Sequence, residues 1–529
     1  MSVIKAGMRW PLMDIQRYKM KEHAIWYAGD PDMLANFYYD RRAQEFLQLD
    51  YGTHNVNTFW GRQIKNNTDF FMHVPIASDI AETSAGFLFG ESPMIRFSNK
   101  SKSPAIDADQ QELDKMLTGS GFFKKILEAA ESASAMGGIF IKLAWDTDLS
   151  PYPIPVVVQA DDAFPEFKFG MLTAFESLAA TYCTSVDGAT SRVYRHFERY
   201  EKGKIINRLF EGSSDCIGNE VDLSTIEETK DLKPTLSIPD AMFVVYIPNM
   251  LPNRLSRSSC HGRSDFQGIE SLMDSLDETF SSWMIDVQLA RAKCFIPEDM
   301  LQGTKDGDGK VNIDQTMYVK LDVDPTTGQS IDYNQFAIRA NEFEKTCLNL
   351  LDRIITSAGY SPQSFGLNIA GRAESGTALN VRERKSFITT SKKQAYWEEP
   401  LKNLVKLMLL AYNEVLGGKI MSDPESLTIE FCDSVSNNLG EISNSLKTLS
   451  DAKAISTETK VRMAHPEWND SQVDEEVQKI LDDDAAAYEV GNPDDNPDLD
   501  QLKKGIVEEG SEGDEGNEPF GKPKEQTIE

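Results

Sequence analysis

The spacing of apolar positions changes several times along the chain, and each change marks a different kind of element. From about Met13 to Asn99 the pattern reads as helices with aromatic anchors. In Ser78 to Phe89, Ile80, Ala81, Ala85 and Leu88 recur at helical spacing, and Gly90, Ser92 and Pro93 punctuate the chain before a short strand, Met94 to Phe97. A second amphipathic helix is predicted from Gly121 to Ala135, with Phe122, Ile126, Leu127 and Ala130 on one side and a stop at Gly137-Gly138. Strand patterns follow: Ile139 to Trp145, Pro155 to Gln159, Leu172 to Cys183, Arg192 to Tyr200, Lys204 to Phe210 and Met242 to Ile247. Gly203, inside Tyr200 to Lys204, supplies the positive φ that a tight hairpin needs. This block is predicted to be antiparallel and β-rich.

The helical period then returns. Ser264 and Gln267 have the form of a capping box, and Ile269, Leu272, Met273, Leu276, Phe280, Trp283 and Val287 mark one apolar stripe on a long helix. Asn341 with Glu344 repeats the cap signal ahead of a second stripe, Phe343, Cys347, Leu350, Leu351, Ile354 and Ala358, closed by Gly359. Between the two helices lie β-like runs at Cys294 to Ile296, Thr316 to Leu321 and Ser330 to Phe336, separated by Gly- and Asp-rich turns. Tyr360 to Gly376, with one proline and three glycines inside it, reads as an exposed loop. A helical stretch from Thr377 to Leu416 buries Trp397, Leu401, Leu404, Val405, Met408 and Tyr412, with a kink or break predicted near Trp397 because Pro400 lacks an N–H. A strand, Leu427 to Cys432, and three short helices follow: Gly440 to Ser450, Thr457 to Ala464 and Ser471 to Asp483. From about Gly491 the chain is too poor in apolar residues to bury a core, so a disordered tail is predicted.

Composition narrows the function. At 529 residues the chain is too long for one ordinary core, so several domains or one elongated, multi-part subunit are expected. Lys plus Arg number 54 against 84 Asp plus Glu, a formal charge of -30, which argues against a protein that grips phosphates by counterion release. Asp482 to Glu529 carries sixteen acidic side chains against Lys503, Lys504, Lys522 and Lys524, yet the body before it remains acidic. The six cysteines are scattered without a CxxC pair, which indicates free thiols in a reducing cytosol rather than a zinc site or disulfide framework. Neither a signal core nor a run long enough to span a membrane is evident, so a protein made in the cytoplasm and not embedded in a membrane is expected.

Candidate chemistry is sparse. Gly366 to Ala373 has the glycine spacing of a phosphate loop, but Arg372 replaces the required Lys and Ala373 the Ser or Thr. Asp306, Asp308 and Asn312 resemble a calcium loop whose sixth and twelfth positions are wrongly filled by Val311 and Met317. The six histidines never fall at metal-ligand spacing, and neither HExxH nor GxSxG occurs. Acidic pairs such as Asp161-Asp162 and Glu398-Glu399 read as solvated charge. No cofactor, metal or catalytic residue is therefore assigned, and the expectation is a mechanical protein rather than an enzyme.

Several short blocks, in their order, carry a resemblance: Trp26-Tyr27-Ala28-Gly29-Asp30, Phe59-Trp60, His73 to Ala81, Leu88 to Pro93, Gly262-Arg263-Ser264-Asp265-Phe266 and Ser375-Gly376-Thr377-Ala378-Leu379. With them the chain, from about Ile25 to Leu481, resembles the portal proteins of long-tailed phages that infect Gram-positive bacteria. The resemblance implies an α+β fold, elongated, with a β-rich and helical wing (1-263), a stem of two helices (264-292 and 341-359), a small α/β clip (293-340) and a tunnel loop (360-376). A long crossing helix with a wing return strand (377-438), a helical crown (439-490) and the disordered acidic tail (491-529) complete it. The family assembles as a ring of twelve at one capsid vertex, the channel for packaging and ejecting double-stranded DNA. Its partners are the terminase ATPase, the major capsid and scaffolding proteins, and head-completion or adaptor proteins. On this reading Gln363, Asn368, Ile369 and Arg372 face DNA. Ile269, Leu272, Leu276, Phe280, Trp283, Phe343, Leu350, Leu351 and Ile354 pack the stem, and Phe295, Met317 and Tyr318 make clip contacts. A head-tail adaptor without a channel and a metal-dependent hydrolase are the rival readings.

Overall fold

In a computed structural model, residues 3–39, 58–62, 71–98, 104–186, 190–257, 259–290, 293–297, 318–321, 332–334, 337–367, 376–431, 439–452, 454–465 and 470–490 are described. The chain divides into two compact units, Met1–Ser434 and Val435–Glu529.

The first unit opens with α1 (Ile15–Ala28), α2 (Pro31–Tyr39) and α3 (Ile76–Phe89). Asp14 caps α1 by accepting the Arg17 N–H, and Gly29, at φ 66, ends it in the left-handed conformation that favours glycine. Strand β1 (Met94–Phe97), α4 (Pro104–Gly119) and α5 (Phe122–Met136) follow. Helix α4 was not predicted: its polar residues outnumber the buried Leu113, Met116 and Leu117, so its short apolar face is hard to see in the sequence.

The β-rich block comprises β2 (Gly138–Ala144), β3 (Ile154–Gln159), β4 (Ala163–Lys168), β5 (Met171–Val186), β6 (Thr190–Glu201), β7 (Lys204–Ser213), β8 (Cys216–Val221), β9 (Thr235–Ser237) and β10 (Val244–Pro248). One antiparallel sheet has the order β4-β5-β6-β7-β8, with β9 against β7; a second has the order β10-β2-β3. Glu201 pairs with Lys204 around Gly203 at φ 80, the predicted hairpin. Strand β4 escaped the sequence reading because Pro165 interrupts it, but it lies at a sheet edge, where a missing N–H is tolerated.

Two long helices then pair, α6 (Glu270–Leu289) and α7 (Ala340–Ala358), flanking β11 (Lys293–Pro297), β12 (Tyr318–Leu321) and β13 (Asp332–Asn334). Strand β11 runs parallel to β12 and antiparallel to β13. Both cap expectations fail. Ser264 Oγ accepts the Phe266 N–H and donates to the Ser134 carbonyl, Gly268 turns the chain at φ 91, and the helix starts only at Glu270. At α7 the helix starts one residue ahead of Asn341, and its cap, Arg339, makes no side-chain capping bond; the Arg339 N–H instead reaches Asp286 of α6 at 3.4 Å.

Helix α8 (Gly376–Glu414) runs through Pro400 unbroken, so of the predicted kink or break the break does not occur; Trp397, Leu401, Leu404, Val405 and Met408 bury one face around the proline. Strand β14 (Leu427–Glu430) returns to pair antiparallel with β1. One core joins α4, α5, β2, β10 and the second half of α8; another joins α1, α2, α3, α6 and α7. The second unit contributes α9 (Leu439–Asp451), α10 (Thr457–Ala464), capped by Ser456, and α11 (Asp470–Val490). The observed fold class is α+β, and no helix among the described residues is long and apolar enough to cross a membrane.

Candidate functional site: the root of the helix pair

Helix α6 carries a second stripe that is polar. Glu270, Asp274, Asp277 and Ser281 recur at helical spacing, and Asp274, Asp277 and Ser281 are buried. Each meets groups from far away in sequence. Asp274 accepts the N–H groups of Phe59, at 2.8 Å, and Trp60, at 3.3 Å. Asp277 accepts the indole N–H of Trp60 at 3.0 Å and the Val74 N–H at 2.8 Å, and it lies 2.8 Å from Nδ1 of His73. Ser281 Oγ accepts the Met72 N–H at 2.9 Å. Glu270 sits 3.1 Å from His23 and 3.5 Å from Lys19. Burial alone would raise the Glu270 pKa, but the His23 hydrogen bond and the charges of Lys19 and His23 bring it down to about 2. Asp274 moves the other way, upward, because burial outweighs its two backbone donors.

Just ahead of α6, Asp265 forms a buried hub. Its Oδ2 accepts from Lys393 Nζ of α8 at 2.5 Å, Ser134 Oγ of α5 at 2.7 Å and the Tyr360 hydroxyl at 3.0 Å, and its Oδ1 accepts from Asn249 at 2.8 Å. Lys393 also donates to Ser84 of α3 at 2.6 Å. Burial lowers the Lys393 pKa against the pull of Asp265. The backbone closes in here: a Cβ on Gly262 would stand 2.2 Å from the Gly137 carbonyl oxygen, so only glycine fits.

From Tyr360 the chain enters a 3-10 turn, Pro362–Phe365, stapled to α8. Ser386 Oγ accepts the Ser361 N–H at 2.9 Å, and Thr389 donates to the Gly359 carbonyl at 2.6 Å. The expected exposed loop is therefore corrected for its first part: Tyr360 and Ser361 are buried, held by hydrogen bonds to α8 and the hub.

Beyond Ser281 the helix pair changes character. Between Ser282 and Leu289 no α6 residue is buried, and none is buried in α7 before Cys347. Trp283 and Phe343 stack at 6.1 Å and 8°, and Arg339 binds Asp286 through two nitrogens at 3.0 and 3.2 Å.

A family model for phage portal proteins of the SPP1 Gp6-like type matches residues 15–489. The chain belongs to this phage portal family. That assigns it a portal or connector role in the virion, in a family of structural proteins rather than enzymes. Curated proteins give no match. Among solved structures, a chain from "Virion of native gene transfer agent (GTA) particle" is 11% identical, with 87% of this chain and 96% of that chain covered and a TM-score of 0.36. A chain from "Neck of empty GTA particle computed with C6 symmetry" is 12% identical, with 77% and 91% covered and a TM-score of 0.36.

Most of the motif blocks that carry the portal resemblance meet at the root of the helix pair. Trp26 donates to Tyr38, Phe59-Trp60 and His73-Val74 bind α6, and Gly262 and Asp265 build the hub. Of the packing residues named from the sequence, Ile269, Leu276 and Ile354 are buried, while Leu272, Phe280, Trp283, Leu350 and Leu351 pack partly buried in the same core. Phe343 is half-buried. Gln363 lies in the 3-10 turn with its Oε1 buried and without a hydrogen-bond partner among the described residues. Phe295 pairs with Val319 and Asp332 and Tyr318 with Cys294 across the small sheet. Asn368, Ile369, Arg372 and Met317 lie outside the described residues, as do the calcium-loop-like segment and the tail from 491. The polar stripe and the hub were missed by sequence reasoning; the only signal was helical spacing of acidic residues, which a solvated face shows equally.

Proposed function

We propose that copies of this chain close into a ring, which we expect to hold twelve, forming the channel for DNA packaging and ejection at one capsid vertex. On this reading 1-263 is the wing, 264-292 and 341-359 the stem, 293-340 the clip and 360-376 the tunnel loop. Residues 377-438 are the crossing helix and return strand, 439-490 the crown and 491-529 an acidic tail. The terminase ATPase docks during filling, head-completion proteins dock afterwards, and the major capsid and scaffolding proteins are further partners.

The observation that carries this reading is the family match across 15–489. Two physical features support it. The far half of the helix pair leaves Val287 and Leu289 exposed, in the stretch that also carries the half-buried Trp283–Phe343 stack, apolar surface that the described residues of one copy leave open. A closed ring places unlike faces of neighbouring subunits together and so uses such surface on every copy. The chain's charge of -30 suits a wall past which phosphates slide without being held. Negative-stain averaging of the purified protein tests the reading: annular particles with a central opening are expected, and particles without an opening would favour an adaptor.

A further inference from the structure

The β4–β5 hairpin turns at Phe169-Gly170, with Lys168 paired to Met171. Both central residues have positive φ, 53° and 82°, the signature of a type I′ turn. Asn or Asp is the favoured first residue of such a turn, and a bulky side chain there is a backbone outlier. Phe169 is also 94% exposed, and Met171 beside it 73%. The single chain thus bears backbone strain and exposed aromatic surface at one tip, where the ammonium of Lys168 lies 5.6 Å from the centroid of the Phe169 ring and still leaves the ring almost wholly in solvent.

The same unit contains a matching hollow. A cavity of about 410 Å³ is lined by Met8, Leu12, Met13, Met20, Phe164 and Arg17, among others. Methionines adapt to irregular shapes and make favourable contacts with aromatic rings, while the Arg17 guanidinium already lies over the Phe164 ring, 4.1 Å from its centroid, and donates to the Asp161 and Ala163 carbonyls. Asp14 lines the hollow, and Asp161 and Asp162 stand close enough to Arg17 to act on its charge, so carboxylates outnumber cations around it, while the tip brings Lys168. Phe164 lies near the start of β4 and Phe169 just past its end, about 16 Å away at the usual strand rise, and pairing with β5 holds the strand extended. The tip cannot fold back into its own hollow.

We propose that Phe169, with Met171, inserts into the Met-lined cavity of a second copy of this chain, a knob-and-hole contact repeated between neighbouring subunits. A heterologous cyclic interface needs both halves on every copy, and this chain carries both, with opposite charge at their edges. The contact rests on the ring reading above and adds to it a specific interface in the β-rich block.

The test is assembly of the full-length chain against protein concentration, read by mass photometry, with thermal melting of the dissociated subunit alongside. Phe169→Asn and Phe169→Asp should raise the concentration for half-assembly by roughly ten-fold or more. Phe169→Asn should at the same time raise the subunit's melting temperature, because Asn suits the turn; a purely structural residue would not separate the two readouts. Met13→Lys should weaken assembly likewise, and adding Lys168→Glu to it should recover part of the loss. Assembly of both Phe169 variants at the wild-type concentration would overturn the contact and leave the ring intact. Failure of Lys168→Glu to recover any assembly would place the hollow elsewhere and overturn it too. A wild-type chain that forms no ring at any concentration would instead remove the ring reading itself, and is distinguished by measuring wild type first.

Discussion

Asp265 and Asp286 stand at opposite ends of the first helix of the pair, and each holds a cation. The Asp265–Lys393 pair is almost wholly excluded from water, at 2% and 1% side-chain exposure, and the carboxylate has three further donors. The Asp286–Arg339 pair is bidentate but open, with Arg339 66% exposed. Water competes for the second pair and cannot reach the first, so similar chemistry has different consequences. The root end, near Glu270 to Ser281, is fixed by hydrogen bonds to segments some 200 or more residues earlier in the chain. The far end carries exposed apolar side chains and an ion pair open to water. One helix is therefore a rigid mount at one end, and on the proposed ring reading its other end is the assembly surface.

Breaking the buried pair is the severest way to test this contrast. Lys393→Met leaves Asp265 charged and short of its cation, and urea unfolding should show a loss of about 3–5 kcal/mol. The double variant Lys393→Met with Asp265→Leu should be less destabilised than the sum of the two singles, because neither charge is then stranded. A Lys393→Met loss below about 1 kcal/mol would erase the distinction between the two ends.

Acid probes the same root more gently. The Glu270 pKa is depressed in the folded protein, so its contribution is complete above the ordinary carboxylate range and is lost as pH falls from about 4.5 toward about 2. The expected size is about 2 kcal/mol, discounted from the full shift because the side chain is partly wetted. Glu270→Gln should remove that part of the acid limb in pH-dependent melting while leaving the rest. An unchanged acid limb in the variant would show that the His23 and Lys19 contacts do not hold the carboxylate.

At the open end, Arg339→Ala should scarcely move the melting temperature of the subunit, since both partners are solvated. A clear drop would mean that this pair is as structural as the buried one.

The apolar logic of the fold was legible in advance, whereas its polar logic was not. Trp397, Leu401, Leu404, Val405 and Met408 announce the buried face of α8 through their spacing alone, and the apolar stripes of α6 and α7 do the same. Asp274 and Asp277 give no such sign: a carboxylate at helical spacing looks identical whether it faces water or the indole of Trp60 more than 200 residues away. Ser264 shows the same ambiguity from the other side. Its spacing to Gln267 fits a capping box, yet the Ser134 carbonyl and the Phe266 N–H claim the hydroxyl and delay the helix to Glu270. The block Gly262 to Phe266 was visible as part of a family likeness, but its role emerged only when Gly262 met Gly137 and Asp265 met Lys393. Local period is encoded locally; polar pairing depends on which distant segments the fold brings together.

Amide hydrogen exchange along α6 and α7, compared between dissociated subunits and assembled particles, tests the mount-and-surface account most directly. Residues 270 to 281 and 347 to 358 should be protected in both states, while 282 to 289 and 340 to 346 should gain protection only on assembly. Equal protection of the far half in both states, or a root that becomes protected only in the particle, would contradict it.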